Sequence, residues 1–414
     1  MRIPRTFKRW LGLLSLAAAT AMLVTACGGG DDNNGNNGNN GGNSSVSDGN
    51  TANTAVITVG TGVARVINIP TVNVKICVPG TSNCQVVNNV LVDTASYGLR
   101  LVGSAVSGML GNLPQVTSGG APVAECGKFV SSYTWGTVRT VDLTIGSERA
   151  SSLPVQIIGD LGTTGVPSSC TNGGTSANSA NDLGANGILG IGPAPVDCGT
   201  NCATSTSSTY NNYYACPNGN ASCAIALVPI AQQVANPVQR FATDNNGVIV
   251  QMPGISSSGQ ASATGQLTFG IGTQGNNALA ASTVLTSTTT GDVSATFLGG
   301  NVTAFFDTGS NAYFFNDSSQ TKCSTNTQFY CPSSTATYTA TLTGQNGTTG
   351  GVSMSIQNAD SLFSNPSTFA FNDIAGPFGA SGWLDLGMPH FYGKTIYFGM
   401  DKTASGGAAP YVAF

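Results

Sequence analysis

The chain has 414 residues, of which only 8% are charged, with 14 Lys and Arg against 18 Asp and Glu and a formal net charge of -4. Arg2, Arg5, Lys8 and Arg9 take four of the basic residues, so no cationic stripe is left along the rest of the chain and nucleic acid is excluded as a partner. Ser, Thr, Asn and 55 glycines supply the polarity instead.

In chain order, the basic N-terminus leads into an apolar run from Leu11 to Val24. That run falls short of the roughly 20 residues a bilayer span needs, but it suits the core of an export signal. Gly28 to Asn53 is almost entirely Gly, Asn, Ser and Asp. Such a segment buries too little apolar surface to offset its ordering entropy, so residues 28–54 are expected as a flexible tether. The remaining stretch of about 360 residues fits two lobes better than one. Segments such as Val63 to Val78 alternate with the two-residue period of strands and are rich in Val, Ile and Thr, and no long amphipathic helix stands out. The expected fold class is all-β, with many short strands.

Eleven cysteines are odd in number, but setting Cys27 aside leaves ten, which agrees with an oxidising compartment. Close spacing pairs Cys77 with Cys84, Cys198 with Cys202, Cys216 with Cys223 and Cys323 with Cys331, leaving Cys126 for Cys170. Spacing alone does not fix the connectivity. Zinc is the competing reading of Cys198 to Cys223, whose spacings do not match the usual ligand sets.

Two segments share one pattern. Val90-Leu91-Val92-Asp93-Thr94-Ala95-Ser96 lies in the first half and Ala304-Phe305-Phe306-Asp307-Thr308-Gly309-Ser310 in the second, each returning to large apolar side chains afterwards. Each reads as a buried strand that breaks into a tight turn presenting a carboxylate with hydroxyls beside it. Ile188-Leu189-Gly190 follows Asp93 by about 96 residues and Leu386-Gly387 follows Asp307 by about 80. An internal duplication accounts for both pairs of segments.

With those elements in place, the region from about Val56 to Phe414 resembles the pepsin-like aspartic proteases, bilobal β proteins in which each lobe contributes one D-T-G-S-type loop. Ser132-Tyr133-Thr134-Trp135-Gly136-Thr137 looks like the flap hairpin, Asn186 to Gly192 is similar to the D-G-I-L-G-L-G segment, and Gly265 to Gly270 looks like the strand joining the lobes. Val24-Thr25-Ala26-Cys27 resembles a lipobox, and the chain as a whole resembles an uncharacterised family of Gram-negative lipoproteins. These resemblances imply a signal over residues 1–27 with lipid on Cys27, an N-terminal lobe over 55–235 carrying Asp93 and the flap, and a C-terminal lobe over 236–414 carrying Asp307. Gly28 after the cysteine, in place of Asp, implies sorting to the outer membrane.

The same resemblance implies Asp93 and Asp307 as a catalytic dyad sharing one proton, with a peptide as substrate and no metal or cofactor. Thr94 and Thr308 would brace the loops, Ser96, Gly309 and Ser310 would support the carboxylates, and Tyr133, Trp135 and Gly136 on the flap would cover the peptide. Two positions depart from the family pattern. Ala95 stands where the family has glycine, placing a methyl near the attacking water. Arg100 stands where a tryptophan is usual, and a guanidinium beside the dyad is expected to lower its pKa values. The chain also lacks a cationic prosegment between Gly28 and Asn53. A non-catalytic relative that binds peptide or another envelope component in the cleft is the rival reading.

Other templates fit less well. The single histidine, His390, has no G-x-S-x-G elbow and reads as a packed side chain. Ser319-Gln320-Thr321-Lys322 matches S-x-x-K without its companion motifs, and the Gly-rich segments lack the Lys-Ser/Thr of a phosphate loop.

Overall fold

The computed structural model describes residues 52–129 and 132–414. The expected signal, Cys27 and nearly all of the tether lie outside the described residues, as do Val130 and Ser131. Among the described residues no helix is long and apolar enough to cross a membrane.

The fold is mostly β and built on two sheets, with a closed six-strand barrel and a curled half-barrel. Its strands form where β-branched residues alternate with polar ones. In the hairpin of Ala336–Thr343 and Thr349–Ile356 the side chains alternate between core and solvent along both strands.

The duplicated segments take up matching positions in two separate sheets. Gly187–Ile191 inserts between Cys84–Asp93, to which it runs parallel, and Tyr97–Val102, to which it runs antiparallel. In the second sheet Trp383–Gly387 inserts between Gly300–Asp307 and Tyr313–Phe315 in the same way. The registers set Gly190 against Asp93 and Gly387 against Asp307. Both glycines are dictated by this insertion. A Cβ on Gly190 would come within 2.6 Å of the Tyr97 backbone nitrogen, and one on Gly387 within 2.0 Å of the Ala312 carbonyl oxygen.

The expected joining strand at 265–270 belongs to Ala263–Phe269, which pairs with Thr54–Val59 on one side and Gly247–Gln251 on the other. Gly247–Gln251 in turn pairs with Thr395–Gly399, which pairs with Tyr411–Ala413. Chain from the beginning, middle and end of the described region thus meets in one sheet.

Between Thr54–Val59 and Pro70–Cys77 the backbone crosses to residues of the second half. Arg65 places its guanidinium 4.9 Å over the Phe369 ring and donates to the Pro366 carbonyl. Asn68 is fully buried in the left-handed region, at φ 53°. Its amide nitrogen donates to the carbonyls of Asn311 and Phe371, and its oxygen accepts from the Phe371 N–H and the Tyr392 hydroxyl.

All five disulfides follow the pairing expected from spacing, so Cys198, Cys202, Cys216 and Cys223 are bonded to one another in pairs and are not zinc ligands.

Candidate functional site

Each Asp-Thr-small-Ser segment leaves its strand at the aspartate and turns. The turn folds back its own N–H groups onto the carboxylate. Ala95 and Ser96 donate their N–H groups to Asp93 Oδ1, and Ser96 Oγ donates to Oδ2 at 2.5 Å. Gly309 donates its N–H to Asp307 Oδ1 at 2.8 Å, and Ser310 Oγ donates to Oδ2 at 2.9 Å. These contacts fix the carboxyl planes before any ligand arrives.

The two loops lock together through their threonines. Thr94 Oγ1 donates to the Phe306 carbonyl and accepts from the Thr308 N–H, while Thr308 Oγ1 donates to the Val92 carbonyl and accepts from the Thr94 N–H. With the loops held this way the carboxyls of Asp93 and Asp307 come together beside Gly309 and influence one another's ionisation. A Cβ on Gly309 would lie 3.0 Å from Asp93 Cγ and 3.1 Å from Asp307 Oδ1, so glycine leaves room at the meeting point. Both carboxyls have no solvent exposure.

Burial is the largest influence on both acids and raises their pKa values. Asp307 rises further because the neighbouring carboxyls of Asp93 and Asp385 add to the effect, while the serine and backbone donors oppose it. Two carboxyls in contact, both desolvated, favour a state with one shared proton. Arg100 has its charge met by other acids. The Arg100 guanidinium lies 2.6 Å from Glu125 and 3.9 Å from Asp197, and a second nitrogen donates to the Tyr97 carbonyl. Burial opposes its charge, but the two acids outweigh burial and hold it protonated. The guanidinium is thereby neutralised locally, and burial, neighbouring carboxyls and loop donors are the leading influences on Asp93 and Asp307.

Beside the Asp93 loop lies a recess of about 20 Å3, room for a single ordered water. Ala95, Ser96, Tyr97 and Arg100 line it from the loop and following strand, Asp197 from a later turn, and Gly127, Lys128 and Phe129 from the hairpin. The hairpin pairs Ala121–Lys128 with Ser132–Ile145. Its expected contact residues have other surroundings. Tyr133 and Trp135 pack with Tyr214 and the Cys126–Cys170 disulfide, and Trp135 donates to Asn220. Gly136 is required by strand packing, since a Cβ there would fall 1.7 Å from the Ile157 carbonyl oxygen. None of the three lines the recess. Ala95 is 2% exposed, and its methyl belongs to an apolar cluster with Phe305, Ala312 and Phe314.

His390 is fully buried beside Phe306 and Tyr313, with its ring held neutral because burial pushes its pKa well below the usual value. Sequence reading missed Glu125 and Asp197 as the partners of Arg100, because they converge only in the fold. It also missed Asp385, although an acid inside Trp383-Leu384-Asp385-Leu386 is a legible anomaly.

The aspartic proteinase from Irpex lacteus has a solved structure similar to this chain over 87% of this chain and 97% of its own, at 14% identity and a TM-score of 0.45. No curated protein matches the chain. Residues 49–414 match the family described as "Protein of unknown function (DUF3443)", and the chain belongs to that family.

Proposed function

We propose that this protein is an aspartic endopeptidase held at the bacterial cell envelope by lipid on Cys27. The observation that carries the reading is the meeting of the buried Asp93 and Asp307 carboxyls at Gly309, supplied by opposite halves of the molecule and braced by the reciprocal Thr94 and Thr308 contacts. One acid ionised and one protonated is the arrangement that hydrolysis needs. The ionised carboxylate takes a proton from water as it attacks the peptide carbonyl, and the protonated partner donates to the carbonyl oxygen. Charge stays constant across the step, with the two carboxyls supplying both the base and the acid. The substrate is an extended peptide laid between the dyad and the hairpin of Ala121–Lys128 and Ser132–Ile145. Because both carboxyls lack solvent exposure, admitting peptide and water requires the cleft to open. Gly28 after the lipidated cysteine favours the outer membrane.

A second reading is a non-catalytic relative that binds a peptide or another envelope component in the same place. The closed dyad and the methyl of Ala95 favour it. Incubation of the full chain with unfolded protein separates the two. Cutting by the wild type that disappears in Asp307→Ala supports the peptidase. Absence of cutting by the wild type together with cutting by Ala95→Gly supports the silenced relative.

A further inference from the structure

The strand Trp383–Gly387 carries an acid that its counterpart lacks. Aligning Gly387 beside Asp307 with Gly190 beside Asp93 places Asp385 opposite Ile188 of the first half. Ile188 lies in an apolar cluster with Leu91 and Val102. Asp385 is fully buried, and its register neighbours are Phe305 and Phe314.

Its carboxyl meets Ser310. Ser310 Oγ lies 2.6 Å from Asp385 Oδ2 and 2.9 Å from Asp307 Oδ2. A serine hydroxyl has one proton to donate. Two ionised carboxylates cannot both accept it, so one of these carboxyls must hold its own proton and donate to Ser310. The first half decides which. There the matching Ser96 donates to Asp93 Oδ2, so the matching donation is from Ser310 to Asp307. The additional contact is then a donation from Asp385 to Ser310.

We infer that Asp385 is a positioning residue that keeps a proton and acts through Ser310 on Asp307, extending the dyad into a network of three carboxyls. Through Ser310 it faces Asp307, and the carboxyl next to Asp307 is that of Asp93. Tyr313 and His390 pack with Phe306 on the opposite face. An ionised Asp385 would repel charge on Asp307 and raise its pKa, whereas a proton on Asp385 removes that repulsion, strengthens the donation from Ser310 and helps Asp307 carry negative charge. Full burial between aromatic neighbours favours that protonated form.

The inference rests on the peptidase reading for its purpose but not for its test. Carbon-13 NMR of the full chain in detergent, labelled at the aspartate carboxyls, reads each protonation state without turnover. The wild-type Asp385 carboxyl is expected to remain protonated at about pH 5, above the ordinary carboxylate value. Asp385→Asn supplies an N–H in place of the O–H and should leave the titration of Asp307 unchanged. Asp385→Ile, the residue of the first half, removes the donor and should raise the pH at which Asp307 ionises by about one unit. The pH profile of peptide cleavage should follow the same order. An ionised Asp385 at about pH 5, an equal shift in both variants, or no shift in either overturns the inference. Should Asp385→Ile fail to fold, the wild-type resonance decides. Loss of cleavage with the network intact would count against the peptidase alone.

Discussion

Thr94 and Thr308 exchange hydrogen bonds in a closed ring: each hydroxyl donates to the carbonyl just before the other's aspartate and accepts the other's backbone N–H. All four groups are buried, so the ring sets the separation of the carboxyls with no help from solvent. Thr308→Val keeps the side-chain shape but strands the Val92 carbonyl and the Thr94 N–H. Denaturant unfolding should show a loss of roughly 2 to 4 kcal/mol. Thr94→Val combined with Thr308→Val should cost less than the sum of the two, because they share one ring.

Stability should fall as the pH rises through the neutral side of the carboxylate range. Burial raises the folded-state pKa values of Asp93 and Asp307, neighbouring acids raise that of Asp307 further, and burial and Asp244 push that of Glu148 up to about 7. A raised value means that the folded state binds more protons than the unfolded chain. The stabilisation is complete below the ordinary carboxylate value of about 4 and is lost as pH passes the folded-state value. Thermal midpoints measured from about pH 4 to about pH 8 should therefore decline. Asp307→Asn and Glu148→Gln should each flatten part of the decline. Midpoints that rise through this window would contradict the assignment.

Asn68 joins the first half to the second through one side chain with every hydrogen-bonding position in use. Asn68→Ala leaves buried partners at Asn311, Phe371 and Tyr392 unpaired and keeps a Cβ at a positive φ. The expected loss is about 3 kcal/mol or more. Asn68→Gly relieves the backbone but not the lost bonds, so it should fall between alanine and wild type in the same unfolding measurement.

The disulfides should differ in weight according to the chain they enclose. Cys126–Cys170 spans 44 residues and ties the hairpin to the short helix Ser168–Thr171. Loop-closure entropy puts its contribution at about 4 kcal/mol. Cys198–Cys202 spans 4 residues and is worth about 2 kcal/mol by the same reasoning. Paired cysteine-to-alanine variants, compared by denaturant midpoint, should keep this order.

Much of the site was legible because it is local and duplicated. Asp-Thr-small-Ser after three apolar residues specifies a strand and a turn that hydrogen-bonds its own carboxylate, and a second copy reveals itself by internal comparison. Leu189-Gly190 and Leu386-Gly387 were legible for the same reason, since only glycine tolerates the backbone contact beside each aspartate. The contacts that escaped are long-range. The charge of Arg100 was visible in the sequence, but its neutralisation depends on Glu125 across the hairpin and Asp197 from a distant turn. Tyr133 and Trp135 carry the aromatic signature of a flap, yet a disulfide and Tyr214 draw them into a packed cluster. Nothing local announced that partition between the two sides of a hairpin. Asp385 was an anomaly in an apolar strand whose meaning required knowing that Ser310 lies against it.

Peptide cleavage measured across about pH 3 to about pH 8, for the full-length wild type and for Asp93→Asn and Asp307→Asn, tests the central claim most directly. The expected result is a bell-shaped profile from the wild type, with each variant reduced by at least about a thousandfold at every pH. Wild-type cleavage that survives either substitution, or no wild-type cleavage anywhere in that range, would contradict a proton-sharing catalytic pair.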